Sequence, residues 1–401
     1  MLGPGMALSI EGARSIGKTE TASRRSDLIL HLDDEATLQL VAADASLQLT
    51  SAPRVCVDEW QIHPPVWDVV RRLIDERTRQ EFLLTGSAKL PPGVTKHTGA
   101  GRIMTLRMRP LALSERVQTR PTVRIADLFR GIKDVAGATP FGLVDYAEQI
   151  CASGFPRINQ LSPRRQRAAL QGYVENLLDR ELPENDLMVR SPQSMLGWLR
   201  AYAAASSTTA SYDSVLRAAT AGDVDKPSKA TTQRYRDALS SLWILDPIPA
   251  WSPSGAPFSR LTVAPKHQLC DPGLAAHVLN LTPESLVSPN SGASEFFGQL
   301  FESLAALTVR SAGQAAEAAT FHFRTRGGEQ EVDLILERFD GKVLAFEVKL
   351  AAVVSDSDVR HLHFLGERLG DRLVDKVVIT TGKQAFRRAD GVAVVPLALL
   401  A

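Results

Sequence analysis

An eight-residue pattern near the start of the chain constrains its fold more than any other feature. Residues 12–19 read Gly-Ala-Arg-Ser-Ile-Gly-Lys-Thr, which matches G-x-x-x-x-G-K-[ST] completely, and they follow the apolar run of residues 6–10. This pattern is typical of a loop that joins a strand to a helix and wraps backbone N–H groups around phosphate oxygens. Chance would produce this pattern in a chain of this length with odds on the order of 1%. The alternative interpretation, a Gly-rich turn before a helix, is therefore disfavoured.

Each residue type in this loop has a role in nucleotide binding. The glycines let the backbone curl, Lys18 is expected to reach the β- and γ-phosphates of ATP, and the Thr19 hydroxyl is expected to bind Mg²⁺. The residues predicted to bind ATP here are Gly12, Ser15, Gly17, Lys18 and Thr19. The helix predicted over residues 19–25 is polar, which predicts that it is short or half exposed.

A second landmark lies about forty residues after the loop. Residues 54–57 form a short apolar strand that leads into Asp58 and Glu59. Because the carboxyl ends of parallel strands meet at one edge of a sheet, we expect Asp58 beside the loop, where it would hold Mg²⁺ with Thr19. Glu59 would polarise the attacking water. Without the loop, the same pattern would mark only a solvated strand end.

Two further polar features follow the next apolar strand, residues 82–84. Thr85 and Ser87 come after that strand, and either is a candidate contact of the γ-phosphate; an ordinary strand-to-loop turn is the alternative. Residues 99–102 then read Gly-Ala-Gly-Arg. An arginine on a glycine hinge is suited to stabilising charge on a phosphate that is being transferred, so Arg102 is a candidate for that role, in its own chain or across a subunit interface. The alternative is a surface arginine.

Composition places the chain among folded proteins without naming a partner. Its 401 residues predict two to three domains, 44% of them are hydrophobic and 23% charged, and the net charge is +1. The three cysteines have no disulfide or zinc spacing, which favours a reducing compartment. Neither an export signal nor an apolar run long enough to span a bilayer is visible in the sequence, so we expect a cytoplasmic protein without a membrane partner.

The order of these motifs resembles a known family. The sequence GxxxxGKT is followed by VDEWQ at residues 57–61, LLTGS at 83–87, GAGR at 99–102 and RPLALSE at 109–115. This order is similar to that of the AAA-type ATPases of the AAA_14 class that are fused to a DUF4143 region, and the resemblance covers essentially the whole chain. It implies nucleotide roles for Lys18, Thr19, Asp58 and Glu59, and an arginine-sensor role for Arg102.

The resemblance also implies the fold class, an α/β chain in several parts. We expect an AAA-type P-loop NTPase domain with a parallel sheet over residues 1–117 and a helical linker over 118–190. A winged-helix region would follow over 191–285, and an α/β domain similar to PD-(D/E)XK nucleases over 286–401.

The middle of the chain supports the winged helix independently. Helices are predicted over residues 195–205, 212–219 and 231–242, and a hairpin rich in Pro and Gly follows. This layout is typical of winged helices, which bind either DNA or protein. The basic and polar side chains on or before the third helix are Lys229, Thr232, Arg234 and Arg236.

Acidic residues recur at two strands near the C-terminus. If residues 339–341 form a three-residue hairpin loop, Arg338 pairs with Lys342, and counting back places Asp333 directly across from Glu347. Positions two apart along a strand share one face of the sheet, so Asp333, Glu347 and Lys349 would converge.

Opposed carboxylates repel each other unless a cation lies between them, which makes Mg²⁺ or Mn²⁺ the expected occupant. Lys349 would orient the attacking water or stabilise charge on the phosphate. This D…E-x-K order is that of the PD-(D/E)XK nucleases, which the resemblance also implies, with Glu302 as the helical acid. We therefore predict Asp333, Glu347 and Lys349 as catalytic, and Glu302, Asp333 and Glu347 as metal ligands. The alternative is a docking module in which the acids survive without a catalytic role.

Two functional hypotheses follow. The first is an ATP-binding, Mg²⁺-dependent ATPase coupled to a nuclease-like domain that acts on DNA or RNA. The second is a nucleotide-dependent switch that regulates or docks a protein partner and whose nuclease fold is vestigial. An arginine that acts across an interface would require a homo-oligomer.

Overall fold

A computed structural model describes residues 3–86, 100–117, 120–184, 192–219, 227–252, 263–290, 292–325 and 327–401. The chain divides into two compact units. The first comprises Met1–Arg109 together with Arg180–Met188 and Arg236–Ile244, and the remainder forms the second. The prediction of four domains stays a prediction.

The first unit is built on a five-stranded parallel sheet. Its strands are β1 (Ala7–Glu11), β2 (Leu28–His31), β3 (Arg54–Asp58), β4 (Glu81–Thr85) and β5 (Ile103–Arg107), in the order β2-β3-β4-β1-β5. All neighbouring strands run parallel. Their carboxyl ends therefore lie along one edge, and this α/β arrangement confirms the predicted fold of the N-terminal part.

Both faces of this sheet are covered, because alternate residues along each strand enter different cores. Ala7 packs in one core with the side chains of Val55, Val57 and Phe82, whereas Leu8 packs in another with Cys56 and Leu83. The first helix after the loop is Lys18–Ser23, in which only Lys18 and Ala22 are buried. The prediction that this helix is short or half exposed is confirmed.

The helices of the described residues range from single turns to a helix of 22 residues. They are Lys18–Ser23, Glu35–Ala43, Ala45–Thr50, Pro65–Asp75, Leu113–Arg116, Ile125–Phe129, Leu143–Cys151, Pro156–Asn159, Pro163–Asn176, Leu182–Glu184, Pro192–Ala204, Tyr212–Ala219, Lys229–Ser241, Pro272–Val278, Pro283–Val287, Ser294–Ala315 and Asp356–Leu369. Short 3₁₀ turns lie at Trp60–Ile62, Gly370–Arg372 and Leu397–Leu399, and Leu177–Glu181 is π-helical.

A seven-stranded mixed sheet forms the centre of the second unit. Its strands are β6 (Gly137–Ala138), β7 (Ala318–Arg324), β8 (Glu331–Arg338), β9 (Val343–Val348), β10 (Leu373–Thr380), β11 (Gln384–Arg387) and β12 (Ala393–Pro396). They follow the order β6-β11-β12-β10-β9-β8-β7. Strands β7 to β9 form an antiparallel meander, and β10 runs parallel to both β9 and β12.

The register between β8 and β9 agrees with the count made from the sequence. Arg338 N–H donates to the carbonyl of Lys342 at 3.0 Å, and Leu334 lies opposite Phe346. One step further along this register, Asp333 faces Glu347. The turn contains Gly341 with φ of 78°, a conformation that favours glycine.

The winged-helix prediction falls partly outside the described residues. Three helices, Pro192–Ala204, Tyr212–Ala219 and Lys229–Ser241, precede two antiparallel bridges that pair Leu245 with Leu269 and Ile248 with Lys266. Residues 253–262, which would hold the tip of the hairpin, lie outside the described part of the chain. The winged helix therefore stays a prediction.

Candidate functional site

The phosphate loop lies between β1 and the helix Lys18–Ser23, and its path requires glycine. Gly12 has φ of 154°, and a Cβ at that position would lie 2.4 Å from the carbonyl oxygen of Met108. Gly17 has φ of 94° and immediately precedes the helix. Ser15, between them, also adopts a left-handed conformation with φ of 63°. A larger residue at Gly12 or Gly17 would strain the loop.

Lys18 is folded back onto the loop that contains it. Its ammonium donates to the carbonyls of Gly12 at 2.9 Å and Ala13 at 2.8 Å. The side chain is buried, and burial lowers the pKa of Lys18 to about 8, although Glu59 and Glu181 act in the opposite direction. A charged donor is therefore held at the phosphate loop with its charge only partly compensated by protein groups.

Asp58 receives polar side chains from the ends of the neighbouring strands. Its Oδ1 accepts from the hydroxyl of Thr19 at 2.9 Å and from that of Thr85 at 2.5 Å, and its Oδ2 lies 3.2 Å from Nδ1 of His31. The parallel register aligns His31 with Asp58, and Asp58 with Thr85. The structure thus brings Thr19 and Asp58 together, as the sequence predicted, and adds two residues that fix the carboxylate.

Glu59 follows Asp58 in an uncommon backbone conformation. Its φ of 53° and ψ of 41° lie in the left-handed region, which few residues other than glycine adopt. The side-chain amide of Gln61 donates to Oε2 of Glu59. Because Glu59 raises the pKa of Lys18, its carboxylate lies within electrostatic reach of that ammonium. The side-chain amide of Gln61 therefore holds a carboxylate that acts electrostatically on Lys18.

A buried acid from a distant part of the sequence also lies at the loop. Glu181 is 5% exposed, and its Oε1 lies 3.8 Å from Nη1 of Arg14. It also raises the pKa of Lys18. The loop cations therefore lie among three acids, Asp58, Glu59 and Glu181, which limits the repulsion between them.

The second unit contains a different cluster of charged side chains, centred on a buried lysine. The ammonium of Lys266 lies 2.8 Å from Oε1 of Glu302, 3.0 Å from Oδ1 of Asp333 and 3.6 Å from Oε1 of Glu331, and the side chain is 1% exposed. Burial opposes the charge on Lys266, but Glu302 and Asp333 raise its pKa above the ordinary value. Burial and the neighbouring Asp333 raise the pKa of Glu302 to about 8, although Lys266 lowers it.

Asp333 connects this lysine to the acid on the next strand. Its Oδ2 accepts from the backbone N–H of Val348 at 2.9 Å. Burial and Asp333 raise the pKa of Glu347 well above its usual range, while Lys349, at 3.2 Å from Oε2, acts in the opposite direction. At Asp333, burial acts to raise the pKa. Lys266 and the Val348 N–H outweigh it and hold the pKa of this carboxyl below the ordinary value. The pKa values of Asp333 and Glu347 are thus shifted in opposite directions, with Asp333 favouring its charged form beside Lys266.

Comparison with protein families assigns most of the chain. Residues 5–117 match AAA_14, described as an AAA domain, and residues 297–400 match DUF4143, described as a domain of unknown function. The chain belongs to the AAA_14/DUF4143 P-loop ATPases. Residues 143–285, between these two regions of the ATPase, match DUF8612, another domain of unknown function.

Two solved structures are similar to this AAA_14/DUF4143 ATPase at low identity. The Walker-type ATPase PABY2304 of Pyrococcus abyssi is 14% identical, with 69% of this chain and 91% of that chain covered and a TM-score of 0.41. A RuvB protein of Thermotoga maritima is 13% identical, with 89% and 87% covered and a TM-score of 0.23. No curated protein sequence matches the chain. In the described ranges, no helix is both long and apolar enough to cross a membrane.

Arg102 is separated from the other predicted nucleotide residues of this ATPase. It immediately precedes β5, so it lies at the amino edge of the parallel sheet, whereas the loop lies at the carboxyl edge. A five-residue strand is about 16 Å long. The guanidinium is 2.8 Å from Asp75, at the end of the helix Pro65–Asp75, which leads back to the amino edge. Arg102 therefore does not contact the nucleotide site of its own chain.

The predicted metal site at Glu302, Asp333 and Glu347 stays a prediction. Within the part of the ATPase that the structure describes, no group of three or more His, Cys, Asp or Glu side chains has the arrangement of a metal site. The prediction placed a divalent cation between Asp333 and Glu347, whereas the structure has the ammonium of Lys266 bonded to Glu302 and to Oδ1 of Asp333. Ser87, a predicted γ-phosphate contact, lies outside the described residues.

Four residues at these sites were missed from the sequence. His31 ends an apolar strand next to β3, which is a usable signal, and Gln61 belongs to the VDEWQ motif without a predicted role. Glu181 and Lys266 carry no local signal, because their partners lie far away in the sequence. Only the folded structure shows that these two residues belong to the sites.

Proposed function

We propose that the first unit binds ATP with Mg²⁺ and hydrolyses it. The observation that carries this proposal is the hydrogen bond between Thr19 and Asp58. The hydroxyl at the end of the phosphate loop and the carboxylate at the end of β3 lie 2.9 Å apart, at one edge of the sheet. Hydroxyl and carboxylate oxygens are ligands that Mg²⁺ prefers. Bound Mg²⁺ would neutralise charge on the β- and γ-phosphates.

The remaining residues of the site fit a nucleotide as well. A Cβ at Gly12 would clash with the carbonyl oxygen of Met108, so this path of the loop requires glycine. Lys18 offers an ammonium whose present partners are neutral carbonyls. Exchange of these carbonyls for phosphate oxygens would give charge-assisted hydrogen bonds, which are roughly twice as strong. In this proposal, Thr19 and Asp58 hold Mg²⁺, with Thr85 and His31 positioning the carboxylate.

In the hydrolytic step we assign proton acceptance from the attacking water to Glu59. Glu59 follows Asp58 and lies just beyond the end of β3. The side-chain amide of Gln61 donates to its carboxylate. Rotation of that amide would free Oε2 to orient the water. We also propose a cytoplasmic location, which the three free cysteines support.

Two substitutions test the proposal. Lys18→Ala is expected to weaken ATP binding about 100-fold, because a hydrogen bond to a charged group contributes up to about 3 kcal/mol. Glu59→Gln is expected to bind ATP normally and to lose about 10²–10⁴ of the turnover rate. Binding is measured with a fluorescent ATP analogue, and turnover by phosphate release.

Arg24→Ala provides a matched control, since it removes an exposed cation six residues from Lys18 that pairs only locally with Glu20. It should bind and hydrolyse ATP as the wild type does. Undiminished turnover in Glu59→Gln would refute the role of Glu59, and undiminished binding in Lys18→Ala would refute the nucleotide site itself.

A second candidate function is a nucleotide-dependent switch that docks a protein partner. One observation favours it over a nuclease, namely that Lys266 is already bonded to Glu302 and Asp333, two of the acids predicted to bind a metal. Labelled DNA and RNA, incubated with the chain, ATP and Mg²⁺ or Mn²⁺, should remain intact. Cleavage that is lost in Glu347→Ala would contradict this candidate and restore the nuclease hypothesis.

A further inference from the structure

Lys266 lies among the acidic side chains of Glu302, Glu331 and Asp333, as a bound metal cation would. We call these residues, together with Glu347, the acid cluster. The three N–H groups of the Lys266 ammonium have three carboxylates within reach, those of Glu302 at 2.8 Å, Asp333 at 3.0 Å and Glu331 at 3.6 Å. Its side chain is 1% exposed. An ion pair of this depth persists only when the partners offset the cost of desolvation. The hydrogen bonds of Lys266 to Glu302 and Asp333 contribute to that offset.

The lysine is also held by its own backbone. Lys266 exchanges two hydrogen bonds of 2.9 Å with Ile248, one in each direction, and the N–H of the next residue, His267, donates to the carbonyl of Thr208 at 2.8 Å. The segment is thus tied to neighbours on two sides. The backbone that carries the ammonium is therefore held by the fold on both sides.

A divalent cation cannot share these oxygens with the ammonium. A Mg²⁺ or Mn²⁺ ion bound by Glu302 and Asp333 would need their carboxylate oxygens at about 2.1 Å. The ammonium lies 2.8 Å and 3.0 Å from those oxygens, so the two cations would lie only a few ångströms apart in a buried site. Their repulsion there would be strong. Withdrawal of the lysine would instead leave a buried charge without its partners.

We propose that Lys266 is a covalently attached counter-cation that permanently replaces the metal ion in the acid cluster of the DUF4143 region. Glu302 and Asp333 then serve to bind Lys266, and they join the segment around residue 266 to the helix Ser294–Ala315 and to β8. The cluster takes up no divalent cation. This inference concerns the second unit and does not depend on ATP hydrolysis by the first.

The test is a titration of the nucleotide-free full chain with Mn²⁺, in which free Mn²⁺ is counted by electron paramagnetic resonance. Wild type, Asp333→Asn and Glu347→Gln are expected to bind the same amount of Mn²⁺, since neither acid holds a metal. Lys266→Met, which keeps the length of the side chain and removes its charge, is expected to gain one Mn²⁺ per chain. The double variant Lys266→Met with Asp333→Asn is expected to lose it again.

Lys349→Met is the matched control, because it removes the cation that pairs with the neighbouring Glu347 but leaves Lys266 in place. It should not gain a site. If Lys266→Met folds only when Mn²⁺ is added, the metal has replaced the lysine and the proposal is supported. If that variant does not fold at all, the comparison of wild type with Glu347→Gln decides.

The overturning result is a Mn²⁺ ion that the wild type binds and that either Asp333→Asn or Glu347→Gln loses. Equal binding by Lys266→Met and wild type, when both are folded, would also overturn it, because the acids would then have no affinity for a metal that the lysine could replace.

Discussion

At the scale of single residues, Asp58 has more to do than its motif indicates. It accepts from Thr19 after β1 and from Thr85 at the end of β4, and it lies beside His31 at the end of β2. A carboxylate with this many partners is fixed before any ligand arrives. Pre-organisation of this kind lowers the cost of binding a metal, because the protein does not have to rearrange.

Lys18 gives the ATP site an unusual dependence on pH. With its pKa at about 8 in the free chain, Lys18 loses its proton as pH rises above 8, whereas bound phosphate would favour the charged form. ATP binding must then take up a proton, so affinity is constant below pH 8 and falls above it. Between pH 7.5 and 9.5 we expect the dissociation constant to rise roughly 25-fold, measured by fluorescence titration at each pH.

Lys18→Arg is the control for this effect. A guanidinium stays charged throughout this pH range, so the affinity of this variant should not fall as the pH rises. A wild-type affinity that is flat up to pH 9.5 would show that Lys18 has an ordinary pKa and that the loop does not desolvate it.

At the scale of elements, apolar patterning predicted the strands well. Apolar runs such as residues 55–57 and 82–84 lie in β3 and β4, because buried parallel strands are apolar on both faces. The β8–β9 register followed from one assumed turn, since a hairpin loop of known length fixes every later pair. Side chains that meet across long sequence separations, such as Lys266 with Asp333, could not be predicted, because no local periodicity records a tertiary ion pair.

The turn formed by Gly154, Phe155 and Pro156 shows what such distant contacts stabilise. The fully buried Asp271 accepts from the hydroxyl of Ser153 and from the N–H of Gly154, the latter at 3.0 Å. A Cβ on Gly154 would lie 2.6 Å from the carbonyl oxygen of Leu111, so the turn also requires glycine for space. Packing and these hydrogen bonds account for the conformation of this turn.

Asp271→Ala is therefore expected to destabilise the chain by about 3 kcal/mol, because it leaves a buried hydroxyl and a buried N–H without an acceptor. Urea unfolding followed by tryptophan fluorescence measures the loss. Asp213→Ala, which breaks an exposed ion pair with Lys229, should cost less than about 1 kcal/mol. Similar losses in the two variants would show that the carboxylate of Asp271 is not needed for the turn.

At the scale of the whole molecule, the sequence predicted the two ends of the chain better than the middle. A complete phosphate loop and the D…E-x-K order are local patterns, so they pointed to the AAA domain and to the strands of the second sheet. The segments around residues 180 and 240 belong to the compact unit of the N-terminal domain, although they lie far from it in sequence. No composition shift or motif marks that association.

The location of Arg102 has a consequence for the kinetics of the proposed ATP hydrolysis. Because the sheet separates it from the loop of its own chain, any phosphate that Arg102 stabilises belongs to another copy. Turnover per chain should then rise with protein concentration. Equimolar Lys18→Ala and Arg102→Ala, each inactive alone, should regain activity when mixed, since one supplies the arginine and the other the intact loop; phosphate release measures this. If hydrolysis does not need the arginine, Arg102→Ala will hydrolyse ATP as fast as the wild type. Turnover per chain will then be the same at every protein concentration.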